Sequence, residues 1–186
     1  MEEQRKGRNR STVINRTYID GGTYRRKFDL LTNDRQINRL LYGLAKTMLY
    51  HRSGTLYEDM YWINVNRRKV IASETGMMAE EKVIYSDATI RKIRKYEGLL
   101  TIHTHPYSYP PSIDDFNSNY EHEYGLGIVV CHDGKIFAYR SYQFVSAKRY
   151  ELEIADYKKM GYTEYEAQVQ TLRKLSKEGM IDFKEV

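Results

Sequence analysis

Apolar positions along this chain recur with two different periods. Ile37, Leu40, Leu41, Leu44 and Met48 fall at helical spacing. That spacing predicts a helix with one buried face, capped by Asn33 or Asp34, running to about Tyr50 and stopped by Ser53-Gly54. The aromatic and β-branched run over 57–65, the polar Asn66-Arg67-Arg68 and the run over 69–72 predict a hairpin. A short strand is expected over 81–85. Ser86 then opens a helix with Ile90 and Ile93 on one face and Gly98 as its C-cap. Residues 99–104 read as a strand, a proline-rich loop follows, and 112–124 reads as a helix. Two further strands, over 127–132 and 135–139, flank Asp133-Gly134, a strong two-residue hairpin signal. Thr163 with Glu166 forms a capping box ahead of a helix whose Tyr165, Val169, Leu172 and Leu175 share a face.

The flanks are less regular. Residues 1–16 are polar and charged and are expected to be disordered. Over 17–31 the pattern is ambiguous, with Tyr18, Tyr24 and Phe28 around the turn-prone Gly21-Gly22. No internal repeat is present. Interleaved helices and strands with hairpins among them predict an α/β fold, a single domain with a mixed β-sheet flanked by helices. The expected organisation is a basic, partly disordered arm over 1–32, a central domain over 33–146 and a C-terminal helical appendage over 147–186.

Composition narrows the classes. A chain of 186 residues suits one domain. It can bury a core without help from disulfides or metals. The single cysteine, Cys131, excludes an intramolecular disulfide framework and any cysteine-rich zinc site, and reads as a buried small apolar residue. No apolar run is long enough to span a membrane, and the opening Met-Glu-Glu-Gln-Arg-Lys lacks the apolar stretch of a secretory signal. A cytoplasmic, reducing setting is therefore expected. The net charge is +5, and residues 1–40 hold 10 Lys+Arg against 5 Asp+Glu, which leaves the rest of the chain neutral. The excess belongs to the arm. With no reader motif in the body, nucleic acid is not the expected partner.

Candidate chemistry concentrates in one loop. All 3 prolines, Pro106, Pro110 and Pro111, stiffen the segment His103-Thr-His105-Pro-Tyr-Ser-Tyr-Pro-Pro-Ser112-Ile-Asp-Asp115. Two histidines at i and i+2 of a strand point to the same face. Two imidazoles on one face can ligate one zinc ion, and a catalytic zinc takes three protein ligands and keeps a fourth position open. Asp115, in the first turn of a helix opened by Ser112, is the natural third ligand. Ser112-x-x-Asp115 is also close to a capping box, a purely structural device. His51 reads as a helix-end residue, and His122 and His132 as surface or supporting groups. The 18 tyrosines suggest an aromatic interaction face, or composition alone.

His103-x-His105-Pro106 followed by Ser112-x-x-Asp115 resembles the signature of the JAB/MPN (JAMM) zinc metalloprotease family. The run Tyr57-Glu58-Asp-Met-Tyr-Trp-Ile-Asn-Val, with the turn, strand, helix and histidine strand after it, is similar to the prokaryotic RadC-like branch. His51-Arg-Ser-Gly-Thr-Leu-Tyr-Glu58-Asp resembles JAB modules of phage minor head (head-morphogenesis) proteins. The resemblance covers about 33–145 and implies a cytidine-deaminase-like architecture. It further implies that His103, His105 and Asp115 bind Zn2+, that Ser112 stabilises an oxyanion, and that Glu58 is the general acid/base. Glu74, in Ser-Glu-Thr-Gly, is the competing glutamate. The implied activity is hydrolysis of a peptide or isopeptide bond by metal-activated water. The implied partner is a protein or peptide substrate, such as the C-terminal tail of a ubiquitin-like protein, lying extended against a sheet edge. The alternative is a non-enzymatic phage-head-associated or scaffold module with a structural zinc site.

Overall fold

A computed structural model describes residues 10–186. After a 3-10 turn at Arg10–Thr12, the elements are α1 (Arg16–Asp20), α2 (Gly22–Phe28), α3 (Arg35–Arg52), β1 (Met60–Asn64), β2 (Lys69–Glu74), α4 (Asp87–Ile93) and β3 (Leu100–His105). There follow α5 (Ile113–Glu121), β4 (Leu126–Cys131), β5 (Ile136–Ser141), α6 (Ala147–Lys159), α7 (Glu164–Lys177) and β6 (Ile181–Glu185). The strands form one 6-stranded sheet in the order β2-β1-β3-β4-β5-β6. Only β3 and β4 run parallel. A parallel pair needs a crossover, and α5 supplies it. The architecture is the expected single α/β domain with a mixed sheet.

Strand alternation assigns the two faces. Leu100 and Ile102 of β3, Ile128 and Val130 of β4, and Ile136 of β5 bury against Ile37, Leu41, Ala45, Met48 and Leu49 of α3. Asp34 starts α3, accepting the backbone N–H groups of Gln36 and Ile37. On the other face, Val129, Phe137 and Tyr139 pack with Phe116 of α5 and with Tyr150, Leu172 and Leu175 of α6 and α7. Met60 and Trp62 continue that face in a neighbouring cluster with Ile93 and Tyr124. The odd-numbered residues of β3, His103 and His105 among them, therefore face α5 and away from α3.

The expectations for the flanks change. Residues 1–9 of the anticipated arm lie outside the described residues. From residue 14 onward the chain is part of the domain, for Ile14, Ile19, Tyr24 and Phe28 are buried in the cluster under α3. Tyr24 and Phe28, one helical turn apart, meet edge to face with ring centroids 5.3 Å apart. Arg25 and Arg26 are exposed and Lys27 reaches the Gly134 carbonyl at 3.3 Å, so a segment basic by count still has an apolar side. The C-terminal stretch is more than helices, because β6 pairs antiparallel with β5 and completes the sheet.

Two local expectations also shift. The first strand begins at Met60, not at residue 57, and the segment 81–85 is not a ladder strand. It is preceded by an isolated bridge between Tyr57 and Glu80. The Asp133-Gly134 hairpin forms as expected, with Gly134 at φ +91 and Tyr18 of α1 pressed so close that a Cβ there would meet its ring at 2.4 Å. Among the described residues no helix is long and apolar enough to cross a membrane.

Candidate metal centre

The end of β3 and the first turn of α5 meet above the sheet. His103 and His105 turn their Nε2 atoms toward each other, 3.1 Å apart. Asp115 closes the group: its Oδ1 lies 3.1 Å from His103 Nε2 and its Oδ2 lies 3.4 Å from His105 Nε2. Ligands bound tetrahedrally at about 2.0–2.1 Å from a zinc ion sit about 3.3–3.4 Å from one another. The three groups thus already stand at the spacing one small cation requires. The tautomers agree with this reading. His105 Nδ1 donates to the Tyr109 carbonyl at 3.2 Å, so in the neutral imidazole the lone pair sits on Nε2. His103 is 2% exposed, and its Nδ1 has no hydrogen-bond partner among the described residues.

Asp115 is held from two sides. Ser112, the N-cap of α5, donates its backbone N–H and its hydroxyl to Asp115 Oδ2, at 2.7 and 2.8 Å, and accepts the Asp115 backbone N–H at 3.2 Å. The capping box is complete. The structural device and the candidate ligand are the same carboxylate: Oδ2 is oriented by the cap while Oδ1 faces His103. Ser112 itself is exposed and stands on the cleft wall.

Glu58 arrives from the strand beside β3. Met60 pairs with His103 in the antiparallel β1–β3 register. Counting back two residues places Glu58 opposite His105 and on the same face. Glu58 is buried, at 6% exposure. Glu58, His103 and His105 offer ligand atoms that all lie within 4.8 Å of one another. No protein group hydrogen-bonds the Glu58 carboxylate among the described residues. Glu74, the competitor, lies elsewhere: its Oε1 accepts the backbone N–H and the hydroxyl of Ser86 at 2.9 and 2.7 Å, a support for the start of α4.

The site is electrostatically tight. Burial pushes the Glu58 carboxyl up, an effect that the His105 and His103 charges only partly offset. Burial would lift Asp115 as well, but the His103 charge and hydrogen bonds from both histidines hold it well below the usual carboxylate range. Burial would lower His105, but its bond to Asp115 and the nearby charge of Glu58 outweigh it and carry its pKa up to about 9. A cation bound here would have to replace that proton.

These groups form the floor of an open cleft of about 710 Å³. Tyr85, Tyr107 and Tyr109 stand on its walls, and Tyr150 and Ile154 of α6 with Gln168 of α7 close one side. The sequence pattern does not indicate that the C-terminal helices reach the site. Nothing local in 147–186 signals it, since contact with the cleft follows from α7 packing on β6 and on α6, and from Tyr150, Leu172 and Leu175 entering the cluster of Phe116 and Phe137. His132 Nδ1 donates to the Thr12 carbonyl, 2.7 Å away, and ties the hairpin turn to the N-terminal segment. His51 pairs with Asp59. Cys131 is buried and free. No family model matches this chain, and no curated protein and no solved structure matches it either.

Proposed function

We propose that this protein is a zinc-dependent metallopeptidase or isopeptidase of the JAB/MPN (JAMM) kind. The observation that carries the reading is the convergence of His103 Nε2, His105 Nε2 and the Asp115 carboxylate at 3.1–3.4 Å on the floor of an open cleft, with buried Glu58 beside them. His103, His105 and Asp115 would hold the cation. When bound, zinc supplies Lewis acidity, polarising a scissile carbonyl and making water nucleophilic at neutral pH. Glu58 takes the proton of the attacking water on its free carboxylate and returns it to the leaving amine nitrogen. Its upward-shifted pKa suits a group that must both accept and release a proton near neutrality. Ser112 steadies Asp115 in the resting site, so donation to an oxyanion requires its hydroxyl to turn away from Oδ2.

The cleft suits an extended peptide whose side chains lie against tyrosine faces, and the C-terminal tail of a ubiquitin-like protein is the form of substrate we propose. The buried free thiol of Cys131 accords with action in a reducing, cytoplasmic setting. A structural zinc is closed by four protein ligands. The open side of this cleft favours catalysis over a scaffold role.

The test joins metal analysis of the purified protein to a panel of peptide and isopeptide substrates. Wild type and Glu58→Gln are expected to carry stoichiometric zinc, and only wild type to cleave. Bound zinc with no cleavage by wild type anywhere in the panel would move the assignment to the scaffold reading.

A further inference from the structure

On the face of the sheet opposite the candidate centre lies an ion pair that the chemistry above does not use. Arg52, at the end of α3, and Asp59 are each 1% exposed, and Arg52 Nε lies 2.5 Å from Asp59 Oδ1. His51 Nδ1 meets the other oxygen, Oδ2, at 2.7 Å. Arg52 also donates from Nη2 to the carbonyls of Thr75 and Met77, at 2.7 and 3.1 Å, and its guanidinium lies 5.7 Å from the centre of the Tyr57 ring. One side chain thus ties the end of α3 to Asp59, the neighbour of Glu58, and to the segment 75–77 that follows β2. Buried ion pairs are poor sources of stability, because desolvating two charges cancels much of their attraction. Such a pair at this position calls for another role.

The backbone of Asp59 indicates which. Asp59 N–H donates to Thr104 Oγ1 at 3.0 Å, and Thr104 N–H donates to Asp59 O at 3.1 Å. Thr104 is the residue between His103 and His105, and Asp59 is the residue after Glu58. The two form one cross-strand pair, with their side chains on the α3 face and those of their neighbours on the cleft face. β1 begins only at Met60, so the ladder alone does not hold Glu58, whose carboxylate has no hydrogen bond of its own among the described residues.

We propose that Arg52 and Asp59 are positioning residues that hold Glu58 against His103 and His105 from behind the sheet. The kinetic consequence rests on the reading of Glu58 as the proton acceptor; the placement of Glu58 does not. The test uses two variants of the full chain. Arg52→Met/Asp59→Leu removes both buried charges together and keeps their bulk. Asp59→Asn keeps the shape and the Arg52 bonds to Thr75 and Met77, and serves if the double variant fails to fold. Each folded variant is crystallised and assayed beside wild type.

The Glu58 carboxylate is expected to leave its place beside the two imidazoles. In the assay kcat is expected to fall about 10- to 100-fold with KM little changed, as misplacement of a reacting group does. A folded variant that keeps the Glu58 carboxylate where wild type has it, or that lowers only the melting temperature, overturns the proposal. If wild type cleaves no substrate, the peptidase reading fails by itself, and the position of Glu58 in the variant still decides this inference.

Discussion

Asp115 shows how one side chain meets two demands. Its Oδ2 completes a helix cap with Ser112 while its Oδ1 faces His103. Ser112→Ala is expected to cost about 1 kcal/mol through the lost cap. It should also weaken metal binding about 10- to 100-fold through the lost orientation of Asp115, as losing an outer partner of a ligand does. Thermal melting and competition with a chromophoric chelator measure the two effects separately. His132 makes a different prediction. Burial pushes its pKa down to about 4, from an ordinary value of 6.5. The fold holds it neutral, so its contribution is whole above pH 6.5 and is lost as the pH falls toward about 4, where the unfolded chain binds the proton and the folded one does not. That difference amounts to about 3 kcal/mol. Denaturant midpoints from about pH 7 to about pH 4 should decline less steeply for His132→Gln than for wild type.

At the scale of elements, α1 and α2 carry the clearest test. Read by charge they form an arm, yet Tyr24 and Phe28 are 0% and 1% exposed in the cluster beneath α3. Phe28→Ala should therefore destabilise the whole protein by about 3–5 kcal/mol, as truncating a core aromatic does. A loss within about 0.5 kcal/mol, the range of ordinary surface substitutions, would return the segment to the status of an arm. The β3–α5–β4 crossover explains why the candidate ligands gather where they do. A parallel pair requires the chain to return over the sheet, and the start of the returning helix brings Ser112 and Asp115 above the end of β3. Three prolines in the connecting loop limit what that approach costs in chain entropy.

For the molecule as a whole, the sheet lies between two apolar clusters, one under α3 and one under α5–α7, and the candidate centre lies on the α5–α7 side. The fold therefore does not need the cation to exist, but binding only to the native state must stabilise it. Chelation is expected to lower the melting temperature while leaving the far-ultraviolet circular dichroism unchanged at room temperature. At free zinc 100 times its dissociation constant the stabilisation is about 2.7 kcal/mol. Collapse of the circular dichroism on chelation would instead mean that the metal is needed to form the fold.

Periodicity made α3, α4, α5, α7 and most of the strands legible, because amphipathic spacing is a local property of the chain. The His-x-His pair and Asp115 were legible for the same reason, all three lying within thirteen consecutive residues that end one strand and open one helix. Residues brought together only by pairing and packing were not. Glu58 reaches the histidines through the β1–β3 register and was preferred to Glu74 on context alone. Arg52 meets Asp59 because α3 lies across the sheet. Tyr150, Ile154 and Gln168 reach the cleft because α6 and α7 pack on each other and bury Tyr150, Leu172 and Leu175 in the cluster of Phe116, and β6 is a strand because β5 offers it an edge. By itself the sequence determined the class of fold and the candidate ligands His103, His105 and Asp115, which depend on neighbours along the chain. Tertiary structure decided which glutamate stands by the ligands, what holds it and what walls the cleft, for these depend on contacts between segments that no local spacing encodes.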